Sequence, residues 1–146
     1  MATTDQKDKI RRWISDYADT NILDQVQEVS DTYLDDCFND ALDEVNYEIN
    51  PRVTTIYTTD TVPFGILKYG VLKNILLGMG IWSARNRVSY SDTGGVNVKS
   101  FDKWETYMPW FDRLERTWET KVGRFKQQQN LDDGWGEVPS EYSLEG

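Results

Sequence analysis

Residues 21–49, NILDQVQEVSDTYLDDCFNDALDEVNYEI, carry the pattern that decides the fold class. Apolar side chains recur at steps of three and four residues along the stretch, which is the spacing of one face of an α-helix. Pro51 disfavours the helical conformation at Asn50 and therefore ends the helix. The pattern predicts one long amphipathic helix. Its apolar positions are Ile22, Leu23, Val26, Val29, Tyr33, Leu34, Cys37, Phe38, Ala41, Leu42 and Val45.

Three further segments also carry helical spacing. Residues 4–17 place apolar side chains at helical steps behind a candidate N-cap at Thr4. Residues 63–84 begin with a proline that suits a first helical turn, and their four glycines favour close packing against other helices. Residues 101–128 carry an aromatic stripe that stays in phase across Pro109, so we expect one bent helix there. The chain is therefore predicted to be mainly α, with a four-helix bundle-like subunit.

A β-hairpin is predicted between the third and fourth helices, at about residues 87–99, within RNRVSYSDTGGVNVKS (85–100). Apolar and polar residues alternate on both sides of DTGG (92–95), whose glycines supply the turn. An isolated two-stranded hairpin is only marginally stable in water. We therefore expect it to pack either on the helices of its own chain or on another subunit.

The C-terminal end differs in character from the rest. The length of 146 residues fits one domain, and we expect a single helical domain over residues 1–130 and an extended C-terminal arm over residues 131–146. The arm, LDDGWGEVPSEYSLEG, has no periodicity and contains isolated aromatic residues. Polar chain termini commonly make no specific contacts, whereas aromatic side chains in such tails can anchor in pockets of a partner protein. Both interpretations stay open.

The net charge of −9 is segregated along the chain. Residues 13–50 contain eleven Asp/Glu and no Lys/Arg, residues 65–126 contain eleven Lys/Arg and six Asp/Glu, and residues 127–146 are acidic again. One explanation is that the helices carry ordinary solvated charged faces. The other is a polarised subunit that sets its positive side against the negative side of its neighbour, a head-to-tail contact that builds rings.

The residue types present exclude most familiar catalytic chemistry. The chain contains no histidine and one cysteine, so Ser/His and Cys/His nucleophile arrangements are excluded. The acidic run at residues 31–44 lacks the glycine of a calcium loop, and the chain has no Gly-x-x-x-x-Gly-Lys phosphate loop. We therefore expect no enzymatic activity, no metal and no cofactor. We also expect no membrane association, because no stretch approaches the roughly 20 apolar residues of a membrane span and no signal core is visible.

Three blocks of sequence carry a resemblance to a known family. The first is LDDCFNDALDEVNYEINP (34–51), an acidic helix with an Asn-Pro end. The second is GILKYGVLKNILLGMGIWSARNRVSYSDTGGVNV (65–98), and the third is the aromatic helix that ends in KQQQN (126–130). Together, over about residues 10–130, these blocks resemble the head–tail connector proteins of tailed bacteriophages, which are also termed adaptor or neck proteins.

The resemblance implies a structural virion protein without catalysis. Small helical subunits would form a homo-oligomeric ring of about twelve copies beneath the portal of the DNA-filled head. Such a ring extends the DNA channel and provides a tail attachment surface. Its partners would be the portal protein and the next neck or tail protein, and DNA would pass without sequence-specific binding. The protein would be made in the host cytoplasm and would end at the head–tail interface of the virion.

The resemblance also assigns roles to particular residues. The C-terminal arm would grip the portal, the hairpin would reach a neighbouring subunit or the next ring, and the acidic helix would line the channel. The candidate portal-docking residues are Trp135, Val138 and Tyr142. The candidate inter-subunit hairpin residues are Arg85, Arg87, Tyr90, Gly94, Gly95 and Lys99. The candidate acidic channel-face residues are Asp24, Glu28, Asp31, Asp35, Asp40 and Asp43.

Two alternative functions stay open. The acidic composition of residues 13–50 fits an acidic host-targeting binding protein, such as a DNA mimic that occupies a basic groove. Another virion component, such as a tail-completion protein, has the same sequence character, and the number of copies per virus particle distinguishes it from a connector.

Overall fold

The computed structural model describes residues 1–16, 29–51, 55–85, 89–91, 97–99 and 103–137. Its elements are α1 (Thr4–Ile14), α2 (Asp31–Asp43), a π-helical turn (Glu44–Glu48), α3 (Phe64–Arg85), β1 (Ser89–Ser91), β2 (Asn97–Lys99) and α4 (Lys103–Glu137). The predicted mainly helical class is confirmed. The four-helix bundle arrangement stays a prediction. Within the described ranges, no helix combines the length and apolar character needed to cross a membrane.

The first helix is fixed at both ends by local backbone chemistry. The Thr3 hydroxyl accepts a hydrogen bond from the Gln6 backbone N–H at 3.2 Å, and the Gln6 side chain accepts one from the Thr3 N–H at 3.0 Å. This capping box satisfies two amides that have no partner inside the helix. The N-cap is therefore Thr3, one residue before the predicted Thr4. The helix ends before Ser15, whose φ of 54° is left-handed.

The second helix begins later than its apolar pattern predicts. Ser30 is extended, with φ −69° and ψ 157°, and its hydroxyl accepts a hydrogen bond from the Tyr33 backbone N–H. The cap supplies a partner for one of the free amides at the start of a helix, so α2 begins at Asp31. The single helix predicted over residues 21–49 is therefore wrong at its start. Residues 17–28 lie outside the described part of the chain.

The third helix is the centre of the fold and packs against α1, α2 and α4. A methyl group added at Gly70 would lie 2.7 Å from the Trp118 ring, and one added at Gly78 would collide with the Tyr33 hydroxyl. The missing side chains therefore admit two aromatic rings, which confirms the predicted packing role of glycine at these two positions. The most deeply buried apolar residues are Ile10, Leu34, Phe38, Ala41, Val45, Leu67, Val71, Ile75, Trp118 and Val122.

The fourth helix is longer than its apolar stripe. α4 passes through Pro109 and continues to Glu137, so the predicted extended arm is wrong over residues 131–137. One physical reason is a hydrogen bond of 2.9 Å from the Gln128 amide to the Asp132 carboxylate, one turn further along. Residues 138–146 lie outside the described part of the chain.

Two short strands lie between α3 and α4. β1 and β2 pair antiparallel, with Tyr90 opposite Val98. Residues 92–96, which contain the predicted turn, lie outside the described residues. The hairpin as a whole, and its contact with another subunit, therefore stay predictions.

Candidate interaction surfaces

One side of α4 forms a basic face, which we define as Arg113, Arg116, Lys121 and Arg124. All four residues are exposed, and at about 100° per residue they fall on one side of the helix. They extend over about 16 Å of the helix axis. The ion pairs found among the described residues involve other cations, so this basic face has no carboxylate partner there.

The basic face lies opposite the buried side of α4 and has apolar side chains at its ends, although the Nζ of Lys121 also lies 5.3 Å from the centre of the Tyr69 ring on α3. Trp118 and Val122, on the opposite side of α4, are fully buried. Trp110 and Leu131 flank the basic face and are 59% and 54% exposed. A cationic surface with an exposed indole is typical of a contact region, because Trp and Arg are enriched in protein interfaces.

The solvent side of α2 forms an acidic face, which we define as Asp36, Asp40 and Asp43. These residues are exposed and lie four and three positions apart, so they are neighbours on one side of the helix. They extend over about 10 Å of the axis, while Phe38 and Ala41 are buried on the other side. None of the three carboxylates belongs to an ion pair within the described ranges.

Two predicted channel-face carboxylates are instead neutralised by α1. Lys7 Nζ lies 2.7 Å from Asp35 Oδ2, and Arg11 Nη2 lies 2.6 Å from Asp31 Oδ1. The hydrogen bond from Arg11 holds the pKa of Asp31 below its usual value. Their charges are therefore compensated within the subunit.

The structure separates the rest of the predicted channel-face set. Asp40 and Asp43 belong to the acidic face, whereas Asp24 and Glu28 lie outside the described residues. The sequence analysis omitted Asp36, although it precedes Asp40 by four residues and so lies on the same side of the helix. Helical spacing counted backwards from Asp40 identifies it.

A buried charge network joins α1 to the start of α2. Arg11 is only 4% exposed, and its Nη1 donates to Asp16 Oδ2 at 2.9 Å and to the Val29 carbonyl at 2.6 Å. The same Asp16 oxygen accepts a hydrogen bond from the Val29 N–H at 3.0 Å. These groups satisfy one another inside the protein, so we interpret the network as structural.

A cleft of about 570 Å³ lies where the π-helical turn meets α3 and α4. In it, Lys73 Nζ donates to Glu44 Oε2 at 2.5 Å, and Trp118 Nε1 donates to the same oxygen at 2.9 Å. The Lys73 side chain is 7% exposed and that of Glu44 is 20% exposed. One carboxylate thus joins three helical elements. The cleft is lined by Glu44, Glu48, Ile49, Asn50, Lys73, Glu115 and Glu119.

A second side chain of α4 holds the residue that follows the π-helical turn. Lys126 is buried, and its Nζ donates to the Ile49 carbonyl at 2.6 Å. Burial lowers the pKa of Lys126, because the charged form loses solvation. This lysine therefore acts as an internal clamp and contributes nothing to the basic face.

The remaining reactive groups show no catalytic or metal-binding arrangement among the described residues. Cys37 is buried, as the sequence analysis predicted, and burial raises its pKa to about 11. Such a thiol carries little thiolate at neutral pH. In the described ranges, no three metal-ligating side chains come close enough together to hold an ion.

The predicted hairpin and docking residues are divided by the limits of the described chain. Arg85 ends α3, Tyr90 lies in β1, Lys99 lies in β2 and Trp135 lies near the end of α4. Their proposed contacts stay predictions. The other members of these two sets lie outside the described residues: Arg87, Gly94, Gly95, Val138 and Tyr142.

Comparisons with known proteins identify no relative, because no family model, curated protein or solved structure matches the chain. The functional interpretation therefore rests on the geometry and charge of these surfaces and on the sequence pattern.

Proposed function

We propose that this chain is a structural subunit of the head–tail connector of a tailed bacteriophage. Copies associate head-to-tail into a ring of about twelve beneath the portal, extend the DNA channel and provide an attachment surface for the tail. The observation that carries the proposal is the separation of unpaired charge, because the basic face lies on α4 and the acidic face lies on α2.

Opposite faces on one chain allow a head-to-tail ring, and they also allow a two-fold dimer in which each basic face meets the acidic face of the partner. A contact between two different surfaces is heterologous, so each copy retains one free surface of each kind, and the series closes when the rotation allows. A closed ring satisfies both faces of every copy, and the number of copies in the assembly distinguishes it from a two-fold dimer. Complementary charges also steer encounter and fix the register of docking.

The proposal includes the roles that the sequence pattern assigns to the other parts. Four helices form a bundle-like body, the hairpin contacts a neighbouring subunit, and the segment after α4 grips the portal. DNA passes through the ring without sequence-specific binding, and carboxylates turned towards the channel keep phosphates from adhering. The mature location is then the head–tail interface of the virion.

The acidic binding protein has less support. It relies on the carboxylates of residues 13–50, but Asp16, Asp31, Asp35 and Glu44 are each paired with a lysine or arginine of the same subunit. In that region, among the described residues, the acidic face is a short row of about 10 Å. A groove that binds duplex DNA requires a longer series of charges, because the duplex carries one charge per roughly 1.7 Å.

The number of copies of this chain per purified virus particle tests the proposal. Quantitative mass spectrometry against the major capsid protein gives that number directly. About a dozen copies indicate one closed ring at a single vertex. Hundreds of copies place the chain in the shell or the tail tube and contradict the proposal. Absence from the particle, with abundant chain in infected cells, favours the acidic binding protein.

A further inference from the structure

We propose that the basic face of α4 in one copy docks on the acidic face of α2 in a second copy. This contact rests on the ring proposed above and names the two surfaces that build it. Each face is therefore occupied by a second copy of the same chain, which contacts it through its face of opposite charge.

The pattern of pairing within the subunit supports this choice of surfaces. Carboxylates that face α1 or α3 have a cationic partner, as Asp35 has Lys7 and Glu44 has Lys73. The seven residues of the two faces have no ion-pair partner among the described residues. Charges are thus paired where the subunit packs on itself, and the two faces are rows of like charge without ion-pair partners among the described residues.

Each face also carries neighbouring like charges that a partner of opposite sign would relieve. Asp36 and Asp40 are four residues apart, and Lys121 and Arg124 are three residues apart, so each pair is mutually repulsive on its own helix. Docking places the row of cations against the row of carboxylates, and the attraction between the rows offsets the repulsion within each. Neither face has an ion-pair partner within its own described subunit, so this gain requires a second molecule, and a second copy of the chain carries both signs of charge.

The dimensions and the apolar rims of the two faces match. The acidic row of about 10 Å fits within the basic row of about 16 Å when the two helices lie along each other. Tyr47, one helical turn beyond Asp43, is 65% exposed, and Trp110 is 59% exposed at the end of the basic face. Each charged row therefore ends beside an exposed aromatic side chain, the residue type that most often anchors an interface.

The test uses the purified full chain and two double variants. In the first, Arg116→Glu and Arg124→Glu leave two cations and two carboxylates on the α4 face, and in the second, Asp36→Lys and Asp40→Lys leave two cations and one carboxylate on the α2 face. All four side chains are exposed, so both variants keep the buried core. Sedimentation velocity measures self-association at about 0.05 M and about 1 M salt, because screening weakens contacts between exposed charges.

We expect the wild-type chain to associate at low salt and to dissociate at high salt. Each variant alone should lose association by about a hundredfold or more in Kd, because reversed charges repel across the contact. An equimolar mixture of the two variants should associate again. In the mixture, the unchanged basic face of the second variant meets the unchanged acidic face of the first, so one wild-type contact forms per pair of chains.

Matched controls carry the same number of charge reversals elsewhere. Lys9→Glu with Arg12→Glu on α1, and Asp132→Lys with Asp133→Lys near the end of α4, should associate as the wild type does. A monomeric wild-type chain at low salt overturns the inference. So does a variant that associates normally, or a mixture that fails to recover. If the basic face instead binds DNA, the first variant loses DNA binding, the second retains it, and neither variant changes self-association, which overturns the inference.

These outcomes are separable from a failure of the proposed function. If the particle contains about a dozen copies but the variants assemble normally, the connector proposal stands and only the proposed contact between α4 and α2 is rejected. A copy number of hundreds, as expected for the shell or the tail tube, contradicts the connector proposal regardless of how the variants associate.

Discussion

The buried cluster of Glu44, Lys73 and Trp118 gives a prediction in which the loss of stability depends on which group is removed. Glu44→Gln keeps an amide oxygen for the Trp118 indole N–H but removes the only ion-pair partner of Lys73 among the described residues. The Lys73 side chain is 7% exposed, so its ammonium would stay buried without a counter-charge. Breaking one half of a buried ion pair is strongly destabilising for this reason.

The magnitude follows from the burial of each partner. We expect Glu44→Gln to lower the free energy of unfolding by about 3 kcal/mol. This value is the lower end of the range for breaking a buried ion pair, because the Glu44 side chain is 20% exposed and water therefore reaches the site. Lys73→Met should cost about 1 kcal/mol, since the remaining carboxylate keeps its bond to Trp118 and reaches solvent. The double variant should also lie within about 1 kcal/mol of wild type, because no unpaired charge remains.

Urea unfolding followed by far-ultraviolet circular dichroism measures all four proteins of this double-mutant cycle. The measurements belong at high salt, where the subunit is not associated and stability does not depend on its concentration. The expected coupling energy is about 3 kcal/mol. A Glu44→Gln variant that loses less than about 1 kcal/mol, or a double variant whose loss equals the sum of the two single losses, refutes this account of the cluster.

Two further predictions concern the packing and titration of α2 and α3. Gly70→Ala should destabilise the protein by about 1–2 kcal/mol, because the added methyl group meets the Trp118 ring and the overpacking outweighs the gain in helix propensity. Gly65→Ala, where nothing lies within 4 Å of the added methyl group, should be neutral or stabilising by up to about 1 kcal/mol. Equal thermal stability of the two variants contradicts this prediction. Burial raises the pKa of Cys37 to about 11 and that of Tyr33 to about 12. Above about pH 9 these two groups therefore bind fewer protons in the unfolded chain than in the folded chain, and together they outweigh the opposite contribution from the lowered pKa of Lys126. The free energy of unfolding should then fall as the pH rises; urea midpoints that stay constant between about pH 9 and pH 11 would argue against it.

The helical periodicity identified the class of fold but placed two helix ends wrongly. The apolar steps of α2 continue upstream of Ser30, yet the serine hydroxyl caps Tyr33 and starts the helix there. The steps of α4 end near residue 128, yet the helix continues to Glu137. Periodicity reports which residues face a core, whereas helix ends are set by local hydrogen bonds to the free backbone groups.

The sequence also established that charge is segregated, because counting Asp, Glu, Lys and Arg along the chain requires no coordinates. It did not determine which charges are available to a partner. Asp31 and Asp40 have the same side chain on the same helix, but only Asp31 lies where Arg11 reaches it. Ion pairing depends on distances of a few ångströms between segments that are far apart in sequence.

The amino-acid sequence by itself therefore determined the helical class, the absence of histidine chemistry and the overall separation of charge. Only the tertiary structure decided that Gly70 admits a tryptophan ring and that Lys73 and Lys126 serve the interior. The physical reason is that composition and period are properties of each segment alone. Pairing and burial arise when α1, α2 and α4 all pack on α3, and only that packing separates internal charges from those left for a partner.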